Sequence, residues 1–91
     1  MKSDLTFITL DAIEQVEFFK RDELTTDLVC CDIVVNGQDG VETWSFHEEA
    51  SNWGDVLKLV EQLPGFDADW RAKVIQPPLL ENRTRAFLRP R

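Results

Sequence analysis

The apolar positions of this chain follow two periods. Through residues 16–47 they alternate with polar ones or fill both sides of the alternation, which is the pattern of extended strands. From residue 53 they fall three and four apart, which is the pattern of a helix. In residues 16–20 (VEFFK), Val16 and Phe18 share one face while Glu17 and Phe19 share the other. In residues 25–35 (TTDLVCCDIVV), Val29, Cys31, Ile33 and Val35 make one face. Leu28, Cys30 and Val34 make the opposite one, interrupted by Asp32. Apolar residues on both faces predict a central strand. Residues 36–40 (NGQDG) carry Asn-Gly and Asp-Gly, both able to supply positive φ, and predict a hairpin loop of four or five residues. The return strand spans 41–47, with Trp44 and Phe46 on its apolar face.

The helix follows at once. Trp53, Val56, Leu57, Val60 and Leu63 lie on one side of an expected helix of about 11 residues. Asn52 suits its N-cap, Asp55 its first turn, and Pro64-Gly65 its end. A helix so short must bury its apolar side on something else. Beyond it, Phe66, Trp70 and Val74 have the spacing of a second, shorter helix that Asp67 or Asp69 would cap. Pro77-Pro78 enforces extended backbone, Leu79 and Leu80 suit an anchor to the core, and residues 81–83 suit a turn. Residues 84–88 (TRAFL) predict a last strand. Before the first strong strand, residues 5–10 are apolar and β-prone, residues 11–14 have capping-box spacing for one helical turn, and residues 21–24 form a polar break. The whole predicts one α+β domain over residues 1–91. Its antiparallel meander has three to four strands, with one main helix and a short second helix packed on one face.

Composition narrows the function. At 91 residues and 43% hydrophobic, with three Trp and six Phe, the chain has a single globular core. Net charge is −7, unevenly spread: residues 1–81 hold all seventeen acids and six of the bases, whereas residues 82–91 hold four Arg and no acid. An acidic body argues against binding nucleic acid through its phosphates. No apolar run approaches the roughly 20 residues that span a bilayer. The first residues have neither the basic start nor the long apolar stretch of a secretory signal, so a cytoplasmic location is expected. Cys30 and Cys31 are adjacent, a spacing that suits neither a disulfide framework nor structural zinc, and reduced thiols in a core strand are expected.

Four groups of residues are candidates for chemistry or recognition. His47, Glu48 and Glu49 could form a metal or acid–base set, although consecutive side chains on a strand point apart and no second His exists. The cysteines would need exposure and a nearby base to act as nucleophiles. Trp44 and Trp53 fit core packing, whereas Trp70, in a short acidic segment, is the tryptophan expected on a binding surface. Arg83 and Arg85 alternate on the last strand, where they could bind an anion but are expected to pair with acids of a neighbouring strand.

Four phrases taken together resemble a group of small uncharacterised bacterial proteins: TTDLVCCDI (25–33), WSFHEE (44–49), LPGF (63–66) with Asp69-Trp70, and QPPLLENRT (76–84). A sheet with a late helix is also similar to bacterial pleckstrin-homology-like domains. The resemblance implies no catalytic residue and no cofactor. The expectation is a non-enzymatic domain that binds a protein partner or a second copy of itself. The alternatives are a small metal-dependent or acid–base enzyme built on His47 with Glu48 and Glu49, and a binder of small anions or lipid head groups. The last would use Trp44, Trp53 or Trp70 with the terminal arginines.

Overall fold

A computed structural model describes residues 8–23, 26–37, 40–75 and 83–90. The expected arm over residues 5–10 lies largely outside these residues, as do the Pro77-Pro78 segment, the anchor at Leu79 and Leu80, and most of the 81–83 turn.

Among the described residues, four strands form one antiparallel sheet: β1 (Ile13–Glu23), β2 (Thr26–Gly37), β3 (Gly40–His47) and β4 (Thr84–Leu88). Their order is β3-β2-β1-β4, so β1 to β3 are a meander and the last strand returns beside the first. Helices α1 (Trp53–Val60) and α2 (Trp70–Val74) complete the α+β fold. β2 lies between β1 and β3, the central position its apolar pattern predicts, and Leu28 and Cys30 are buried on the face away from Cys31 and Ile33.

Three boundaries differ from the sequence expectation. The polar residues 21–23 continue β1 instead of breaking it, because Glu23 still pairs with Thr26. Gly37 pairs with Gly40, which shortens the expected hairpin loop to two residues, and Gly40 takes the positive φ of 113°. Helix α1 has eight residues, not about 11. Gln62 and Leu63 donate to the carbonyls three residues back, at 3.3 and 3.0 Å, so the chain tightens into turns there. Leu63 also precedes Pro64, a position that disfavours α geometry, and Gly65 then takes φ 78°. Asn52 stands at the N-cap but its backbone is not extended and its side chain makes no capping bond; its carbonyl accepts the first intrahelical N–H, from Val56. A 3-10 turn at Leu10–Ala12 stands in place of the helical turn expected over 11–14.

Two bulges set which side chains face the helices. Ile13 pairs with Val35 and Gln15 with Val34, so Glu14 is an extra residue and both Ile13 and Val16 reach the core. On β4, Val16 pairs with Phe87 and Glu17 with Arg85, so Ala86 is extra. Without that insertion Phe87 would share a face with Arg85. With it, Phe87 is buried, Arg85 stays outside, and the Ala86 carbonyl accepts the Asp67 N–H at 2.8 Å.

The core lies between the sheet and the helices. Val16, Phe18, Cys31, Ile33, Trp44 and Phe46 meet Val56 and Val60 of α1, with Leu63 beyond it, and Trp70 and Val74 of α2. Phe18 is its centre. Its ring stacks on Trp70 at 3.6 Å between centroids and 8° between planes, while Trp53 and Phe66 meet it edge-on at 6.3 Å. Such rings bury large apolar areas and gain further from their mutual geometry. Lys20 lies on the same face of β1, only 2% exposed, and its Nζ donates to the Ile75 carbonyl at the end of α2 (3.1 Å). The acceptor suits a cation because the final carbonyls of a helix lack partners within it. Arg89 fastens the chain beyond β4 to the start of β1. Its guanidinium donates to the Ile13 carbonyl at 2.8 Å and the Leu10 carbonyl at 2.7 Å.

Candidate functional site

Because side chains alternate along a strand, the sheet has a second face, opposite α1 and α2. Among the described residues no helix covers it. The register makes Glu17 of β1 face Asp32 of β2, and Asp32 face Ser45 of β3. Two carboxylates directly opposite repel, and two further groups offset that. The Ser45 hydroxyl donates to Asp32 Oδ1 at 2.7 Å. Arg83, entering β4, places a guanidinium nitrogen 2.5 Å from Glu17 Oε1 and 3.9 Å from Asp32 Oδ2. The same guanidinium lies 4.2 Å above the Phe19 ring, so cation–π attraction adds to the ion pair. Arg83 thus pairs with the acids of neighbouring strands, as expected. Arg85, opposite Glu17 in the register, is exposed.

The next row along this face is Phe19, Cys30 and His47. A shallow depression of about 250 Å³ lies over it, lined by Phe19, Arg21, Cys30, Asp32, Ser45 and His47. Toward the hairpin end, Val41 and Leu88 are 67% and 55% exposed and flank Gln15 and Val34.

The three residues expected as a metal or acid–base set have separate surroundings. Glu48 continues the ladder beyond β3. Its N–H donates to the Val29 carbonyl at 2.9 Å, and its carboxylate accepts the Val29 N–H at 3.0 Å. Glu49 is exposed, and the buried His47 Nδ1 has no hydrogen-bond partner among the described residues. Among those residues no three His, Cys, Asp or Glu side chains are grouped to hold a metal ion. The two cysteines take opposite faces. Cys31 is fully buried, and burial, reinforced by the charges of Asp32 and Cys30, pushes its thiol far above the ordinary range. Cys30 Sγ donates to the Leu28 carbonyl at 3.6 Å. Both are buried, so neither has the exposure that a nucleophilic thiol needs.

Trp70, expected on a binding surface, is 4% exposed and stacked on Phe18. Its ring is a core element, and the surface beside it belongs to Arg71, 5.0 Å from its centroid. Nearby, Asp67 accepts from Lys73 and from the Asp69 N–H, which hold its carboxyl below the ordinary range, and the same contact raises the Lys73 ammonium. Sequence reasoning did not single out Glu17, Asp32 or Ser45. The signal was present in their parity: all three fall on the face that Phe19 and Cys30 share. What the pattern lacked was the register that aligns them.

No helix among the described residues is long and apolar enough to cross a membrane. Comparison with protein-family models, with curated proteins and with solved structures found no match.

Proposed function

We propose that this chain is a non-enzymatic interaction domain of the cytoplasm that holds a protein partner on the sheet face opposite its helices. The observation that carries the reading is the ordered mosaic on that face. A fixed Ser45–Asp32–Arg83–Glu17 array is flanked by exposed Leu88 and Val41 and by the exposed cation of Arg85. Charged groups held in place by their neighbours select a partner by complementary charge, and the exposed apolar side chains supply contact area. Two of the groups suited to chemistry are engaged elsewhere: Glu48 accepts a backbone N–H and Cys30 donates to a carbonyl.

The test compares capture by the native chain with capture by the double variant Arg85→Glu, Leu88→Glu. Both positions are exposed, so stability should change by no more than about 1 kcal/mol each, the larger share at Arg85, which stands opposite Glu17. Loss of a partner retained by the native chain supports the reading. Retention of the same partner by the variant, or no partner retained by the native chain, overturns it.

A further inference from the structure

The sheet has two edges, and they are built differently. Edge strands are prone to pair with other chains, and proteins guard them with short length, bulges, positive charge and proline. The β4 edge has all four: five residues, the Ala86 bulge, Arg83 and Arg85, and Pro90 just beyond. The β3 edge has none of them. It runs for eight residues without a bulge, without Lys, Arg or Pro, and Glu42 is its one acid.

The hydrogen-bond phase of β3 fixes what that edge offers. Glu48 donates to Val29, its partner in the continued register, at 2.9 Å. In an antiparallel ladder, bonded and non-bonded pairs alternate. Phe46, Trp44 and Glu42 therefore turn their backbone groups toward β2, while Ser45, Thr43 and Val41 turn theirs outward. The outward series stops at Ser45, because the His47 carbonyl accepts the Ala50 N–H at 3.0 Å. Among the described residues, no strand lies beyond β3.

We propose that β3 is a self-pairing strand. Two copies join antiparallel about a two-fold axis at Thr43 and form one continuous eight-stranded sheet. This rests on the interaction-domain reading and names its partner at this edge as a second copy of the chain. Self-complementarity argues for that occupant. With Thr43 opposite Thr43 of the second copy, Val41 lies opposite Ser45 and Ser45 opposite Val41. Each of these three pairs exchanges two hydrogen bonds, which uses the outward N–H and C=O groups and no others. Glu42 then faces Trp44, not a second Glu42, so no like charges stand directly opposite. The exposed Val41 gains a cross-strand neighbour. The faces opposite the helices in the two copies also become one surface. An edge join of five residues covers less than the roughly 1,200 Å² of a stable interface. The pair should therefore form in the range of tens to hundreds of micromolar.

Sedimentation of the full chain from 10 to 500 µM, roughly spanning that range, tests this. The mass should rise from one chain toward two, and the amides of Val41, Thr43 and Ser45 should gain exchange protection with concentration. Thr43→Pro removes an outward N–H that the sheet itself does not use, a position where an edge strand tolerates proline. It should weaken association at least about ten-fold, the factor worth 1.4 kcal/mol. Thr43→Cys provides a second route that does not depend on how the proline variant folds. Directly paired strand residues lie about 5.5 Å apart between Cα atoms, within disulfide reach, so mild oxidation should give a covalent dimer, whereas Arg85→Cys should not. A one-chain mass at every concentration, or a dimer without Thr43→Cys cross-linking, overturns the inference. A different protein captured through Leu88 and Arg85 while the chain stays monomeric would overturn it and leave the interaction-domain reading intact.

Discussion

Phe18 and Phe19 are neighbours of the same chemical type with opposite fates. Phe18 is fully buried, stacked on Trp70 and met edge-on by Trp53 and Phe66. Phe19 is half-buried on the other side of the sheet, under the Arg83 guanidinium, beside an array of carboxylates and a hydroxyl. One step along a strand separates the interior of the protein from its candidate recognition surface. The covered face gains stability from area and ring packing. The opposite face places charges with little contribution to the core, so the two should respond to substitution on different scales.

The largest contrast is between the two phenylalanines themselves. Phe18→Ala removes the centre of the ring cluster and should cost about 3–5 kcal/mol, the range for deleting a buried aromatic. Phe19→Ala should cost about 1–2 kcal/mol, since less area is lost from water. Urea unfolding of both variants measures the difference, and equal costs would mean that the opposite face is as buried as the core.

A smaller effect separates structure from chemistry at the strand end. Glu48→Ala strands the Val29 N–H and should cost about 1–3 kcal/mol, while Glu48→Gln keeps an acceptor and should recover most of it. If both variants unfold at the same denaturant concentration as the native chain, the carboxylate is not part of the ladder.

The smallest effect belongs to the face opposite the helices. Glu17 and Arg83 are partly solvated, with side chains 20% and 48% exposed. A double-mutant cycle of Glu17→Gln and Arg83→Met should return a coupling of about 0.2–1 kcal/mol, screened by salt. A coupling several times larger would make the array a stabilising network and weaken its reading as a recognition surface.

Much of this architecture was legible in the residues. The parity of Val16, Phe18, Trp44 and Phe46 and the spacing of Val56 and Val60 follow from backbone geometry and predict the elements they form, while the dipeptides at 36–40 predict the hairpin but not its two-residue loop. The boundaries were less legible because they depend on pairing. Residues 21–23 look polar in sequence, yet they stay in β1 because β2 supplies their hydrogen bonds. Trp70 shows the same limit. Its acidic neighbours suggest a surface, but at 4% exposure its position is set by Phe18, fifty-two residues earlier. For the candidate site, the pairing of Arg83 with neighbouring acids was foreseen, whereas the alignment of Glu17, Asp32 and Ser45 was not. Alternation assigns a side chain to a face; only the register and the two bulges say which residues stand side by side.

The contact of Arg89 with Leu10 joins positions 79 apart in sequence, and it lies at the end of a strand that pairs with β1. That separation has a consequence for the order in which the molecule assembles. β1, β2 and β3 can zip through two adjacent hairpins, each closing a short loop. The β4 partnership and the arginine clasp must instead close a loop spanning most of the chain, whose entropic cost delays them. The final strand is therefore expected to dock late. Contacts around Arg89 govern how long the finished sheet persists more than how quickly it forms.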